Sequence, residues 1–171
     1  PGKPCMNALP QNSMNWHIVT QPDPVLRARA EEVSVNEITT HDFQAFADQY
    51  AAFMIASDGV GLAANQIGLQ KRIIAVLEKD GVNVYVNPEI MKASPSTLES
   101  EEGCLSVPGV YGVVDRSKRI TVRALDRHGR RIEFSVSGYA ATIFQHEIDH
   151  LNGILFIDRA KKITRGSIAS R

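Results

Sequence analysis

From residue 43 the apolar positions recur as Phe43, Phe46, Ala47, Tyr50, Phe53 and Met54. This i, i+3, i+4, i+7 spacing predicts one buried helical face. Thr39 and Thr40 stand where a cap is needed, and Ser57, Asp58 and Gly59 predict the helix end. The period then shortens. Residues 72–77 (RIIAVL) and 82–87 (VNVYVN) are β-branched runs separated by a turn at 79–81, which predicts a hairpin that Pro88 stops or confines to an edge. Residues 94–103 are polar and read as loop. A second hairpin is expected from RITVRAL (119–125) and RIEFSV (131–136), joined by a loop holding Asp126 and Gly129.

After Ser137 a second helix is predicted over about 138–151. Tyr139, Ile143, Phe144 and Leu151 form its packed positions, and Gly153 stands at its C-terminal cap. The tail ILFIDRAKKITRGSIASR beyond it reads as beginning in a short strand and ending polar and basic. Strands in runs, flanked by one early and one late helix, imply an α+β fold. The chain has 171 residues with 43% hydrophobic and 22% charged, which fits one compact domain over residues 14–171. Residues 1–13 are polar and Pro-rich and are expected to be a disordered extension or an expression remnant outside that domain, with Met14 an alternative start.

Formal net charge is zero, so no global field favours nucleic acid or a membrane surface. No run of about 18 apolar residues is present to span a bilayer. The two cysteines are Cys5 and Cys104. With no secretory pattern, Cys104 is read as a free thiol and Cys5 as incidental.

The late helix carries QHEIDHLNG. His146 and His150 lie four apart and project from one helical face, so both imidazoles can reach one metal ion. Glu147 stands beside them without ligating. This H-E-x-x-H pattern serves chemistry in which the carboxylate acts as general base on metal-activated water. A catalytic site usually takes three protein ligands and keeps one position open. The downstream position that supplies a third histidine in one peptidase class is Phe156, and Asp158 is the sole carboxylate after His150. An upstream ligand is therefore expected. Cys104, in EEGCLSVPG, is the best candidate, because a thiolate binds Zn²⁺ or Fe²⁺ strongly. His17, His41 and His128 read as surface residues. The pattern G-x-G-x-x-A at 59–64 follows a helix and leads to a strand, the reverse of a dinucleotide-binding turn.

Three segments, GVGLAANQ (59–66), EGCLS (102–106) and HEIDH (146–150), together resemble the signature motifs of the peptide deformylase family, in that family's order. The resemblance covers roughly residues 16–158. It implies antiparallel sheets around the HEIDH helix, with Cys104, His146 and His150 as metal ligands and Glu147 as catalytic acid/base. Gln66 and the backbone N–H of Leu105 would bind the oxyanion, and Gly61 and Gly103 would lie along the substrate backbone. The implied reaction removes the N-formyl group from N-formylmethionyl nascent polypeptides and releases formate, with metal-bound water as nucleophile. The implied cofactor is one divalent ion, Fe²⁺ in the cell, with Zn²⁺, Ni²⁺ or Co²⁺ as alternatives.

An apolar pocket for the substrate side chain is expected from Val60, Tyr139, Thr142, Ile143 and His146, although Tyr139 and Ile143 also read as plain core. Glu102 paired with Arg116 would brace the Cys104 loop. The rival readings are an H-E-x-x-H metallopeptidase and a non-catalytic metal site. The setting expected is the bacterial cytoplasm, with an organelle as the alternative. The basic residues Arg159, Lys161, Lys162, Arg165 and Arg171 read as a solvated tail that offers a transient ribosome contact.

Overall fold

The computed structural model describes residues 16–168. Residues 1–13, Met14 and Arg171, on which some expectations rest, lie outside that range. Helix α1 (Val35–Ile38) leads into α2 (His41–Ala56), where the Thr40 hydroxyl accepts from the Phe43 N–H at 3.2 Å. Phe43, Phe46, Ala47, Tyr50 and Met54 are buried, as their spacing predicts. Asp58 closes the helix end at φ 56°.

Next come β1 (Gly61–Ala63) and a 3-10 turn over Ala64–Ile67, in place of the continuous loop expected for residues 59–68. β2 (Ile73–Glu78) and β3 (Gly81–Ala93) form the expected first hairpin. Pro88 does not end β3. It sits where the pairing with the next partner shifts register between Val86 and Glu89, and a bulge needs no N–H from it.

The supposed loop at 94–103 is largely strand: β4 (Thr97–Cys104) pairs along β5 (Val107–Ser117). Most of β4 is exposed. Pairing rather than burial specifies it, so no apolar alternation announces it. β6 (Arg119–Leu125) and β7 (Arg131–Ser137) form the second hairpin.

Helix α3 (Tyr139–Leu151) follows, and Gly153 adopts φ 76° just past its end, as expected of a capping glycine. The anticipated strand after it is instead helix α4 (Phe156–Arg159), whose Asp158 carboxylate accepts from the Leu155 N–H at 2.8 Å. Short apolar runs fit either period, and this cap decides for the helix. β8 (Lys162–Arg165) ends the described fold.

Two antiparallel sheets result, in the orders β1-β2-β3-β6-β7 and β4-β5-β8. On β2, Ile73 and Ala75 pack with the α2 side chains, while Ile74 and Val76 pack with Phe144, Ile148 and Leu151 of α3. Alternate residues of a strand face opposite ways, so the large sheet lies between the two helices. This explains why residues 73–76 (IIAV) are apolar at every position. The small sheet contributes Val107, Val110 and Val114 to a third cluster with Leu26, Leu155 and Phe156. Among the described residues no helix is long and apolar enough to cross a membrane.

Candidate metal centre and active site

Helix α3 and the end of β4 bring three ligating atoms together. Those of Cys104, His146 and His150 all lie within 4.8 Å of one another. Cys104 Sγ is 3.2 Å from His150 Nε2, which is 3.2 Å from His146 Nε2. Donors about 2.0–2.3 Å from one tetrahedral ion stand roughly 3.3–3.6 Å apart, so a thiol and two imidazoles at this spacing fit a shared divalent cation.

The surroundings orient the set. His146 Nδ1 is 2.8 Å from Glu102 Oε2, which turns its Nε2 inward. Arg116 grips Glu102 through two bonds, Nε to Oε1 at 2.7 Å and Nη2 to Oε2 at 3.0 Å. The expected brace of the Cys104 loop is therefore present, and it reaches further, to a ring of the cluster. Burial pushes the Glu102 carboxyl up, but the bonds from Arg116 and His146 outweigh it and hold the group at about 2. Burial opposes a proton on His146, yet Cys104 and Glu102 raise its proton affinity overall. Burial, and then the charge of His146, keeps His150 neutral.

Glu147 is buried at 4% exposure, and its Oε2 has no hydrogen-bond partner among the described residues. Burial lifts its carboxyl to about 7. A Cβ at Gly61 would collide with this carboxylate, so the β1 backbone and Glu147 approach closely only because residue 61 is glycine. Gly103 has a comparable constraint, since a Cβ there would come within 2.6 Å of the Tyr111 ring.

The Gln66 amide is pinned at both ends. Its Oε1 accepts from the Ala63 N–H at 2.9 Å, and its Nε2 donates to Ser106 Oγ at 3.1 Å and lies 3.6 Å from Cys104 Sγ. Residues 19–21 strap this arrangement from outside: the Val19 N–H donates to the Gln66 carbonyl and the Gln21 N–H to that of Ser106.

These groups sit in a cleft of about 510 Å³ whose lining includes Val60, Gly61, Gln66, Gly103, Leu105, Tyr139, Thr142, Ile143 and Glu147. The ligand, catalytic and pocket residues expected from the sequence thus meet at one cleft or in the cluster at its floor. Tyr139 is not the packed helix position expected. It is 64% exposed at the cleft's edge, because it opens the first turn of α3.

Several contributors had no individual signal. Ser106 is fully buried against Gln66. The Tyr50 hydroxyl donates to the Leu62 carbonyl at 2.7 Å and holds β1. The Asn65 amide donates to the His150 carbonyl at 2.5 Å. Only the neighbourhood of Ser106 and Asn65 within the matched motifs could have drawn attention to them.

Comparison with known proteins shows the family of the chain. The family profile described as polypeptide deformylase matches residues 16–166. The peptide deformylase of Desulforudis audaxviator is 46% identical over 150 residues, covering 86% of this chain and 95% of that protein. The crystal structure of the Thermotoga maritima peptide deformylase superimposes with a TM-score of 0.81 at 40% identity, covering 86% of this chain and 98% of that one. A Met-Ala-Ser-bound class I type b peptide deformylase from Acinetobacter baumannii gives a TM-score of 0.82 at 37% identity, covering 86% and 99%. On this extent of match, the chain belongs to the polypeptide deformylase family, whose members are metal-dependent enzymes.

Proposed function

We propose that the chain hydrolyses the N-formyl group of N-formylmethionyl nascent polypeptides, releasing formate and a free α-amine. The observation that carries this reading is the convergence of Cys104 Sγ and two histidine Nε2 atoms beside a buried carboxyl, Glu147, at the floor of an open cleft.

Cys104, His146 and His150 would hold one divalent ion, Fe²⁺ in the cell, with Zn²⁺, Ni²⁺ or Co²⁺ as substitutes. A divalent ion there supplies Lewis acidity and makes hydroxide available near neutral pH, by lowering the pKa of a water from about 15.7 to near 7. Glu147 takes the proton from the attacking water and passes it to the leaving amine nitrogen as the formyl C–N bond breaks. A carboxyl poised at about 7 suits both directions of that transfer. Gln66 Nε2 and the Leu105 N–H donate to the formyl oxygen as charge develops on it. Pinning Gln66 between Ala63 and Ser106 removes the reorganisation this would otherwise require. Gly61 and Gly103 leave room for the peptide backbone, while Val60, Tyr139, Thr142 and Ile143 receive the methionine side chain.

The reading places the enzyme where formylated chains are made, in the bacterial cytoplasm. Its bacterial relatives support this setting. It extends to a transient ribosome contact through the basic C-terminal residues. Of these, Arg159 binds Asp149, Lys161 binds Glu99 and Arg165 lies over the Tyr111 ring, so exposed Lys162 is the better placed of the described ones.

The deciding experiment incubates metal-loaded protein with formyl-Met-Ala and with acetyl-Met-Ala. Formate should be released from the first and acetate should not be released from the second. Cleavage of the Met-Ala bond in either peptide would mean a peptidase instead.

A further inference from the structure

The cluster's outward support does not stop at Glu102. Arg116, buried at 3% side-chain exposure, reaches the other way to Asp149 Oδ2 at 2.5 Å. Asp149 is gripped in turn by Arg159 from α4, with Nε to Oδ2 at 2.6 Å and Nη2 to Oδ1 at 2.7 Å. Two guanidinium groups and two carboxylates thus alternate from a half-exposed arginine to the Nδ1 of His146, and every link is a charge-assisted hydrogen bond. The four side chains come from α4, α3, β5 and β4, so the row joins the last helix to the strand that carries Cys104.

We propose that Arg159 is a positioning residue for the metal centre, acting through Asp149, Arg116 and Glu102 on the orientation of His146. The inference rests on His146 being a metal ligand. With Arg159 in place, Asp149 is satisfied by a bidentate fork, and Arg116 can keep its own fork on Glu102. Without Arg159, Arg116 is the sole cation bound to Asp149 among the described residues, and one guanidinium must serve two buried carboxylates. Arg116 is then drawn toward Asp149, Glu102 loses part of its anchor, and the acceptor that fixes the His146 ring is free to move. Loss of a direct partner of a ligating histidine typically costs about 10–100-fold in metal affinity. A residue four links from the histidine should cost less, about 3- to 10-fold. Lysine cannot form the fork, so Arg159→Lys should recover only part of the effect.

The test loads the full chain with Co²⁺ and follows release to excess chelator, with the Co²⁺ absorption spectrum as a second readout. Expected for Arg159→Ala is release about 3- to 10-fold faster than wild type, with an altered spectrum and an intermediate rate for Arg159→Lys. In a Glu102→Gln background, Arg159→Ala should add little, because the path to His146 is already cut. Equal release rates for wild type and Arg159→Ala would overturn the proposal. So would the same acceleration in both backgrounds, which would mean general loosening. If Glu102→Gln fails to fold, the unfolding midpoint of metal-free Arg159→Ala decides: a drop on a par with that of Arg159→Lys, without a graded release rate, also overturns it. Failure of wild type to bind one Co²⁺ per chain would instead refute the ligand assignment itself.

Discussion

At the scale of single residues the site is built on close approach. Gly61 lets a strand backbone touch Glu147, and among the described residues no hydrogen bond commits that carboxylate's Oε2. Glu147→Gln should therefore keep its metal content while turnover falls by about 10²–10⁴-fold, the usual worth of a positioned general base. Elemental analysis and formate release on one sample check both halves, and undiminished turnover would remove Glu147 from the mechanism.

Glu102 makes a different prediction. Its carboxyl sits at about 2 in the folded chain, below its ordinary 4.5. A group depressed in this way stabilises the fold fully above about 4.5, and that contribution fades as pH falls toward 2. The unfolding free energy of metal-free protein should therefore decline across that window, and Glu102→Gln should flatten the decline. Identical slopes for the two proteins would count against it.

At the scale of elements, α3 is the part most exactly readable from sequence. Its two histidines share a face because they are four apart, and its capping glycine marks its end. What could not be read was the scaffold facing it. β4 is exposed along most of its length, and its polar run TLESEEGC carries no alternation. Its strand character comes from pairing with β5, the next strand of the same hairpin, and not from burial, so no apolar alternation announces it. α4 failed for the opposite reason: four residues are too few for either period to show, and a side-chain cap decided.

The cluster itself was foreseeable in its ligands and not in its supports. Asp149 and Arg159 look like ordinary surface charges in a helix and a basic tail, and only the fold makes them neighbours. The firmness of α3 depends on Phe144, fully buried and edge-on to Tyr85 and Phe134 at 5.2 and 5.4 Å. Phe144→Ala should cost about 3–5 kcal/mol, as large truncations in a tight core do. Chemical denaturation would measure it, and a loss below about 1 kcal/mol would show that α3 is held chiefly by its polar clips, such as Gln145 to Ser117.

At the scale of the molecule, the cleft is assembled from three distant stretches of chain and walled by both sheets. The end of the described chain takes part. β8 pairs with β5 at Tyr111, Gly112 and Val113, and the Arg165 guanidinium lies 4.7 Å from the centre of the Tyr111 ring, the same ring that crowds Gly103. Ending the chain before residue 162 should therefore speed metal release and lower formate production, whereas ending it after Gly166 should leave both unchanged. Chelator competition on the two truncations distinguishes them, and matching behaviour would sever β8 from the site.

The Tyr111 ring thus sits between the glycine next to the Cys104 thiol and the last cation among the described residues, Arg165. Anything fused to the carboxyl end needs a spacer beginning beyond that cation. A tag joined too tightly would pull on the last strand, shift the ring, and be mistaken for a defect in chemistry.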